Sequence, residues 1–474
     1  METLSRRGFL VAAAAGVAAL SGRGAGTARA AGERSRFLTA PGWKLPELVV
    51  EQPAAGTAPG YIFLAPFGSK LGASPGPLVV DDTGSPVWFL PLKTEQAQNF
   101  RVQSYRGAPV LTWYESQAGQ SGTALYGGTC VIYDPRYRQV KRVHGGHGYA
   151  LDLHEFVITS RNTALLAIAN VVQTGGVKVV EGIVQELDID SGKVLFEWHS
   201  LDHVPLGESF RPNVTSDGTV DYFHLNSIGV APDGNLIVSA RHTSTIYKLH
   251  RKSGAVLWRL GGMRNEFALG DGAAFAFQHD ARLHADGTLT VFDNGATDAG
   301  AGKVEPYSRP LRLALDEKAR TAGVLQVFQP PTPRLTTAMG NLQVLPDGGV
   351  FVGWGTAGAV SEFAPDGTLR FDCRLADGSS TYRAYRLSWQ ARPTTAPAII
   401  LERSGGGFTA NVSWNGATDV AHWEARVGKA RRRTARTGFE TPVPVPATTG
   451  VLSVAALDAR GRELAATKPF ALPR

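Results

Sequence analysis

The sequence predicts an all-β chain, a six-bladed β-propeller followed by a small Ig/fibronectin-like β-sandwich. Three observations predict it. Two kinds of β-hairpin alternate along most of the chain at the spacing of propeller blades. The chain holds 55 glycines, many in D-G, N-G and S-G turns between short apolar runs, and no long helical periodicity. A Pro/Thr-rich stretch at 391–397 separates the repeats from a segment of different spacing.

The first element lies ahead of the repeats. Ser5-Arg6-Arg7-Gly8-Phe9-Leu10 is a twin-arginine export motif, Val11 to Leu20 is apolar, and Ala28-Arg29-Ala30 is a small-x-small cleavage site. The apolar run is too short to span a bilayer, so residues 1–30 read as a signal peptide and the mature protein as secreted or periplasmic. Nothing later is long and apolar enough for membrane insertion. The formal charge is +7, of which the leader contributes +3, leaving a mild +4. The basic residues are scattered apart from Arg431-Arg432-Arg433, which argues against a nucleic-acid partner.

The propeller is assigned to residues 31–390. One hairpin recurs at Leu78–Leu90, Val131–Val143, Leu187–Trp198, Leu249–Leu260, Leu311–Phe328 and Phe363–Leu375. The other recurs at Arg101–Trp113, Glu155–Ala169, Ser227–Ala240, Asp280–Phe292 and Asn341–Gly353, with a degenerate first copy expected in Gly60–Phe67. Residues 391–397 read as a linker. Residues 398–474 carry the sandwich strands, among them Phe408–Trp414, Trp423–Val427 and Val451–Leu457. Cys130 and Cys373 are too few for a zinc site. They are either two buried thiols or a bond that ring closure would have to bring together.

Aligning the second hairpins on their turns puts Asn99, His154, Asn226, His279 and Gly340 in equivalent slots, with His224 two residues before Asn226. Alternation along a strand then gathers His154, His224, Asn226 and His279 at one mouth of the channel, and a one-residue slip would undo this. Arg241 returns to the same end, and Asn294 stands opposite His279. His144, His147, His199, His203, His242, His250 and His284 fall outside the slot, and His242 is expected to point to the other side of its strand. Asn99, Asn226 and Asn294 are read as substrate-binding residues, with Trp113, Tyr114 and Trp354 placed to stack on an aryl ring or to pack inside the blades. Three histidines would also suit a metal, but the neighbouring arginine disfavours a divalent cation and no metal is assigned. A non-catalytic binding propeller and a metal-assisted lyase or hydrolase are the rival readings.

The same segments resemble the arylsulfotransferase family, especially its shorter secreted branch with a twin-arginine leader. The resemblance spans about Phe63 to Trp389. It rests on Asn99–Trp113, Asp152–Phe156, His224–Ile228 followed by Ser239–Ser244, Gly261-Gly262, Phe277–Arg282, Asp293-Asn294-Gly295 and Gly340–Gln343. It implies a six-bladed propeller that passes a sulfuryl group from an aryl sulfate ester to a phenol, with no nucleotide sulfate donor and no cofactor. By motif match the sulfated nucleophile is His279, and the assisting residues are His154, His224 and Arg241. The chain is shorter than the larger bacterial members and spaces its motifs more tightly, so their dimerisation and exact substrates do not carry over.

Overall fold

A computed structural model describes residues 37–68, 71–93, 96–116, 127–210, 213–215, 217–295 and 306–473. The leader at 1–30 lies outside them. Among the described residues the chain is all-β, with only three-residue 3₁₀ turns as helix. No helix among the described residues is long and apolar enough to cross a membrane.

Among the described residues, six mainly antiparallel sheets follow one another before residue 391, the third and the fifth each carrying one short parallel pairing. The second joins Ala97–Tyr105, Ala108–Glu115, Thr129–Tyr133 and Gln139–Val143. The third joins Leu151–Ile158, Thr163–Thr174, Val177–Asp188 and Val194–His199, and the fourth joins Leu225–Val230, Leu236–Ala240, Thr245–Leu249 and Val256–Gly261. The fifth joins His279–Leu283, Thr288–Asp293, Arg309–Asp316 and Thr321–Val327, and the sixth joins Asn341–Val344, Val350–Gly353, Ala359–Phe363 and Leu369–Leu375. Within each, sequence neighbours pair, as short turns between strands dictate. Apolar residues from adjoining sheets share cores: Leu165, Ala167 and Val184 of the third sheet pack with Ile228, Leu236 and Val238 of the fourth.

The first sheet departs from the expected pattern. Gly60–Phe67 does not supply a local hairpin. Tyr61–Leu64 pairs on one side with Leu78–Val80 and on the other with Tyr385–Leu387, more than three hundred residues later. The early strand Leu48–Gln52 is the reciprocal, pairing with Leu369–Leu375 at the edge of the sixth sheet. Contacts therefore run from each sheet to the next and from the sixth back to the first.

Residues beyond 397 form two further antiparallel sheets around one apolar core that includes Phe408, Val412, Trp414, Trp423 and Val454. Asn415 clamps the Phe89 backbone, accepting from its N–H at 3.1 Å and donating to its carbonyl at 3.0 Å. The stretch 391–397 is tied down as well: the Ala391 N–H donates to Thr418 Oγ1 and the Trp414 indole donates to the Thr395 carbonyl. Cys130 and Cys373 are free, buried thiols in two different cores.

The innermost strands are interrupted by bulges. Pairing slips between Gln98 and Arg101, Leu151 and Phe156, Leu225 and Ser227, and His279 and Arg282. Asn99 and Asp280 take positive φ there, at 55° and 54°, and His224, one residue ahead of its slip, takes 55°. A bulge bends the strand and re-aims a side chain, so simple alternation does not apply at these positions.

Candidate active site

The site is built at these bulges. His279, His154, Arg241 and His242 are each 6% exposed or less, and His224 is more open. The His154 and His224 rings stand edge to face with centroids 4.8 Å apart. Both feel the His279 ring, as does the Arg241 guanidinium. The structure thus brings His154, His224, Arg241 and His279 together.

Each histidine has its orientation fixed by a partner on Nδ1. His154 Nδ1 lies 2.5 Å from Asp152 Oδ1, and His224 Nδ1 lies 2.5 Å from Asp221 Oδ2. A carboxylate on Nδ1 holds the proton there and leaves Nε2 for the site. His279 instead uses Asn294, whose Oδ1 lies 2.7 Å from Nδ1. Asn294 Nδ2 donates to the Thr336 and Met339 carbonyls, so its oxygen is the acceptor and His279 carries its proton on Nδ1. Burial, then the positive Arg241, push the His279 ring well below the usual histidine range, against the opposing pull of the Asn294 bond. His279 is a neutral imidazole with an unprotonated Nε2.

Asp152, Asp221 and His242 are functional neighbours that sequence reasoning missed. The first two had a local signal, two and three residues ahead of His154 and His224. His242 was expected to point away and does not. The strand ends at Ala240, and Arg241 to Ser244 form a turn, so strand alternation fails there. His242 Nε2 accepts from Arg241 Nη1 at 3.0 Å, and its Nδ1 donates to the Asp221 carbonyl at 2.7 Å. Burial, then His224, drive it down to about 3, so it is a neutral acceptor that aims the guanidinium. His242→Leu removes that acceptor from a charged donor. It is expected to lower kcat/KM for an aryl sulfate by about 10- to 100-fold, with His242→Gln recovering part of the loss through its amide oxygen.

Asp221, His224 and His242 each offer a ligand atom within 4.8 Å of the others, a spacing that suits a cation. Both His242 nitrogens are already engaged, one of them by an arginine cation, so this set fits a metal poorly.

The remaining sequence-expected residues take supporting places. Asn226 is fully buried and donates to the Gln278 carbonyl at 2.6 Å, bracing the chain just before His279. Asn99 joins an ion cluster beneath the histidines, accepting from Arg383 at 3.3 Å. Trp113 and Trp354 do not face the site. Trp113 packs with Trp88, Phe100 and Tyr133 and donates to Glu115. Trp354 packs on Phe292 and donates to Ser361. Their side chains fall on the inter-sheet face, where large rings fill the core. Tyr114 likewise lies in a sheet core, with its hydroxyl donating to the Leu151 carbonyl.

The floor is ionic. Glu155 meets Arg101 at 2.9 Å, Arg282 at 2.5 Å and Arg383 at 3.0 Å, and neither the Glu155 nor the Arg383 side chain is exposed. Burial raises the Glu155 carboxyl, but Arg282, Arg383 and Arg101 outweigh it and hold it well below the usual carboxylate range.

The two depressed rings predict an acid sensitivity. Unfolded, His242 and His279 would each titrate near 6.5. Below that pH the unfolded chain binds protons the folded site refuses, so stability falls as pH drops from about 6.5 towards 3. The slope is up to about 1.4 kcal/mol per pH unit for each ring. Glu155 adds to the loss only below the ordinary carboxylate range. Thermal melts from pH 7 to 4 should show this fall, shallower in His242→Gln; a flat profile would contradict neutral burial of these rings.

No curated protein matches the chain significantly. Among solved structures it is similar to a protein of unknown function from Bacteroides caccae, at 12% identity over 69% of this chain and 98% of that one, TM-score 0.43. It is also similar to a catalytically inactive virginiamycin B lyase from Staphylococcus aureus with quinupristin, at 10% identity over 81% and 97%, TM-score 0.32. A gluconolactonase from Xanthomonas campestris matches at 10% identity over 78% and 97%, TM-score 0.36. The family model described as Arylsulfotransferase (ASST) matches residues 101–376, more than half of the chain and the stretch that carries His154, His224, Arg241, His279 and Asn294. The chain belongs to the arylsulfotransferase family.

Proposed function

We propose that this chain is an exported six-bladed propeller enzyme that transfers a sulfuryl group from an aryl sulfate ester to a phenol through a sulfohistidine at His279. The observation that carries the reading is the state of His279: buried and neutral, with Nδ1–H committed to Asn294 and Nε2 unprotonated, and with His154, His224 and Arg241 acting on the ring. Family membership supports aryl sulfotransferase chemistry in general.

The steps follow from the residues. His279 Nε2 attacks sulfur; the sulfur–aryl oxygen bond breaks and its electron pair leaves on the phenolate. His154 or His224 starts this half as an imidazolium, its Nδ1–H held by Asp152 or Asp221, and gives that oxygen its Nε2 proton to become neutral. Arg241, aimed by His242, answers the charge on the sulfuryl oxygens. In the second half an incoming phenol loses its proton to the same histidine and takes the sulfuryl group, restoring His279. No nucleotide is needed, which suits a compartment outside the cytoplasm, the destination a twin-arginine leader implies.

The test is acceptor dependence. Purified mature protein with 4-nitrophenyl sulfate should release nitrophenolate faster when phenol is added, with phenyl sulfate formed in equal amount. Release indifferent to phenol, with inorganic sulfate as product, would replace transfer by hydrolysis. No release from a panel of aryl sulfates would remove the reading.

A further inference from the structure

The lone pair on His279 Nε2 is not empty. The backbone N–H of Met339 donates to it at 3.2 Å. Together with Asn294 this closes a ring: His279 Nδ1–H to Asn294 Oδ1, Asn294 Nδ2–H to the Met339 carbonyl at 3.0 Å, and Met339 N–H back to Nε2. The contact to Nε2 is the longest of the three, at the limit for a normal hydrogen bond.

The donor is held in place by its surroundings. Met339 has φ 68°, a left-handed conformation that a residue with a side chain adopts at a cost. Arg241 Nη2 donates to the Thr337 carbonyl at 3.0 Å, and the Gly340 N–H donates to the Tyr382 carbonyl at 3.1 Å. A Cβ on Gly355 would lie 2.6 Å from the Ala338 carbonyl oxygen and 2.8 Å from the Gly340 nitrogen, and one on Gly340 would lie 2.8 Å from the Phe292 ring. Backbone and ring press the turn from both sides, so a strained donor is held against the nucleophile.

We infer that the Met339 N–H covers the His279 lone pair in the free protein and passes to a sulfuryl oxygen as Nε2 bonds to sulfur, making this backbone donor a catalytic group. The inference rests on the sulfotransferase reading and deepens it. One lone pair takes one partner. When sulfur claims it, the N–H is displaced by a small rotation of its peptide, and the nearest acceptors are the oxygens on that sulfur. An amide already beside the sulfur that meets charge only as it develops favours the transition state over the ground state. The Nε2–sulfur bond forms, the sulfur–aryl oxygen bond breaks with its electron pair on the phenolate, that oxygen is protonated by His154 or His224, and Met339 keeps its proton. In the free protein the same N–H resists protonation of His279, because a protonated Nε2 would set donor against donor.

Replacing Met339 by its α-hydroxy acid analogue through stop-codon suppression turns this N–H into an ester oxygen and keeps the side chain. The reference is the same codon suppressed with methionine. The single-turnover rate of nitrophenolate release from 4-nitrophenyl sulfate is expected to fall about 10- to 100-fold, with KM moving less than about threefold. The His279 titration, followed by ¹⁵N NMR with Arg241, His154 and His224 intact around it, is expected to shift to higher pH. A rate within about twofold of the reference, or an unmoved titration, overturns the inference. If the methionine reference itself turns over no aryl sulfate, the sulfotransferase reading fails, and the NMR titration alone decides whether Met339 guards the ring.

Discussion

His279→Ala is expected to reduce nitrophenolate release from 4-nitrophenyl sulfate by at least about 10³-fold, in the presence or absence of phenol, while the protein stays folded. The size follows from what is removed. A covalent route loses its first bond-forming atom, and what survives is the electrostatic help of Arg241 and the two dyad histidines. No neighbour can substitute. His154 and His224 have their orientation fixed through Asp152 and Asp221, and His242 has both nitrogens engaged. Quenched samples of the unaltered protein should carry one acid-labile sulfuryl group per chain, absent from the variant. A variant within tenfold of the parent would move the nucleophile elsewhere.

The largest stability effect is expected at Glu155. Glu155→Ala strips the shared carboxylate from Arg101, Arg282 and Arg383, the last of them fully buried. Removing one partner from a buried ion cluster leaves uncompensated charge and costs about 3–5 kcal/mol. The exposed pair Arg106–Asp190, at 2.5 Å on the surface, is the internal control. Its loss in Asp190→Ala, together with the Tyr105 hydroxyl bond to the same carboxylate, should cost no more than about 2 kcal/mol. Denaturant midpoints of the two variants give the comparison, and equal losses would mean the floor is solvated and not buried.

The parts of the fold that were legible in the sequence are those fixed by local chemistry. Hairpins such as Ser227–Ala240 and Asp280–Phe292 announce themselves by apolar strands around Asp-Gly turns, since turn type and side-chain period are written within a dozen residues. The strand Tyr385–Leu387 was not legible as the partner of Tyr61–Leu64, because nothing in either stretch names a partner so distant. The same division runs through the site. Repeat register put His154 and His279 in equivalent slots and His224 two residues before its own, while the bulges that aim the rings were not legible from it. The roles of Asp152 and Asp221 sat in plain view at short spacing and needed only the question of what orients each ring. His242 was misplaced because its strand stops one residue before Arg241. Trp113 and Trp354 were misplaced because both lie at the ends of second strands and turn into the cores between sheets, a choice of face that the repeat register leaves open.

The pairing of Tyr61–Leu64 with Tyr385–Leu387 also sets a clock on the protein. During synthesis the first sheet waits with an open edge until nearly four hundred residues have been made. Arg383, which completes the charge cluster under the histidines, arrives two residues before that closing strand. A partial chain therefore has neither a sealed edge nor a finished floor. The histidines of the third, fourth and fifth sheets can all have been synthesised and still lack the ground they stand on. The edge of the first sheet and the charge floor are completed by the same late stretch of chain.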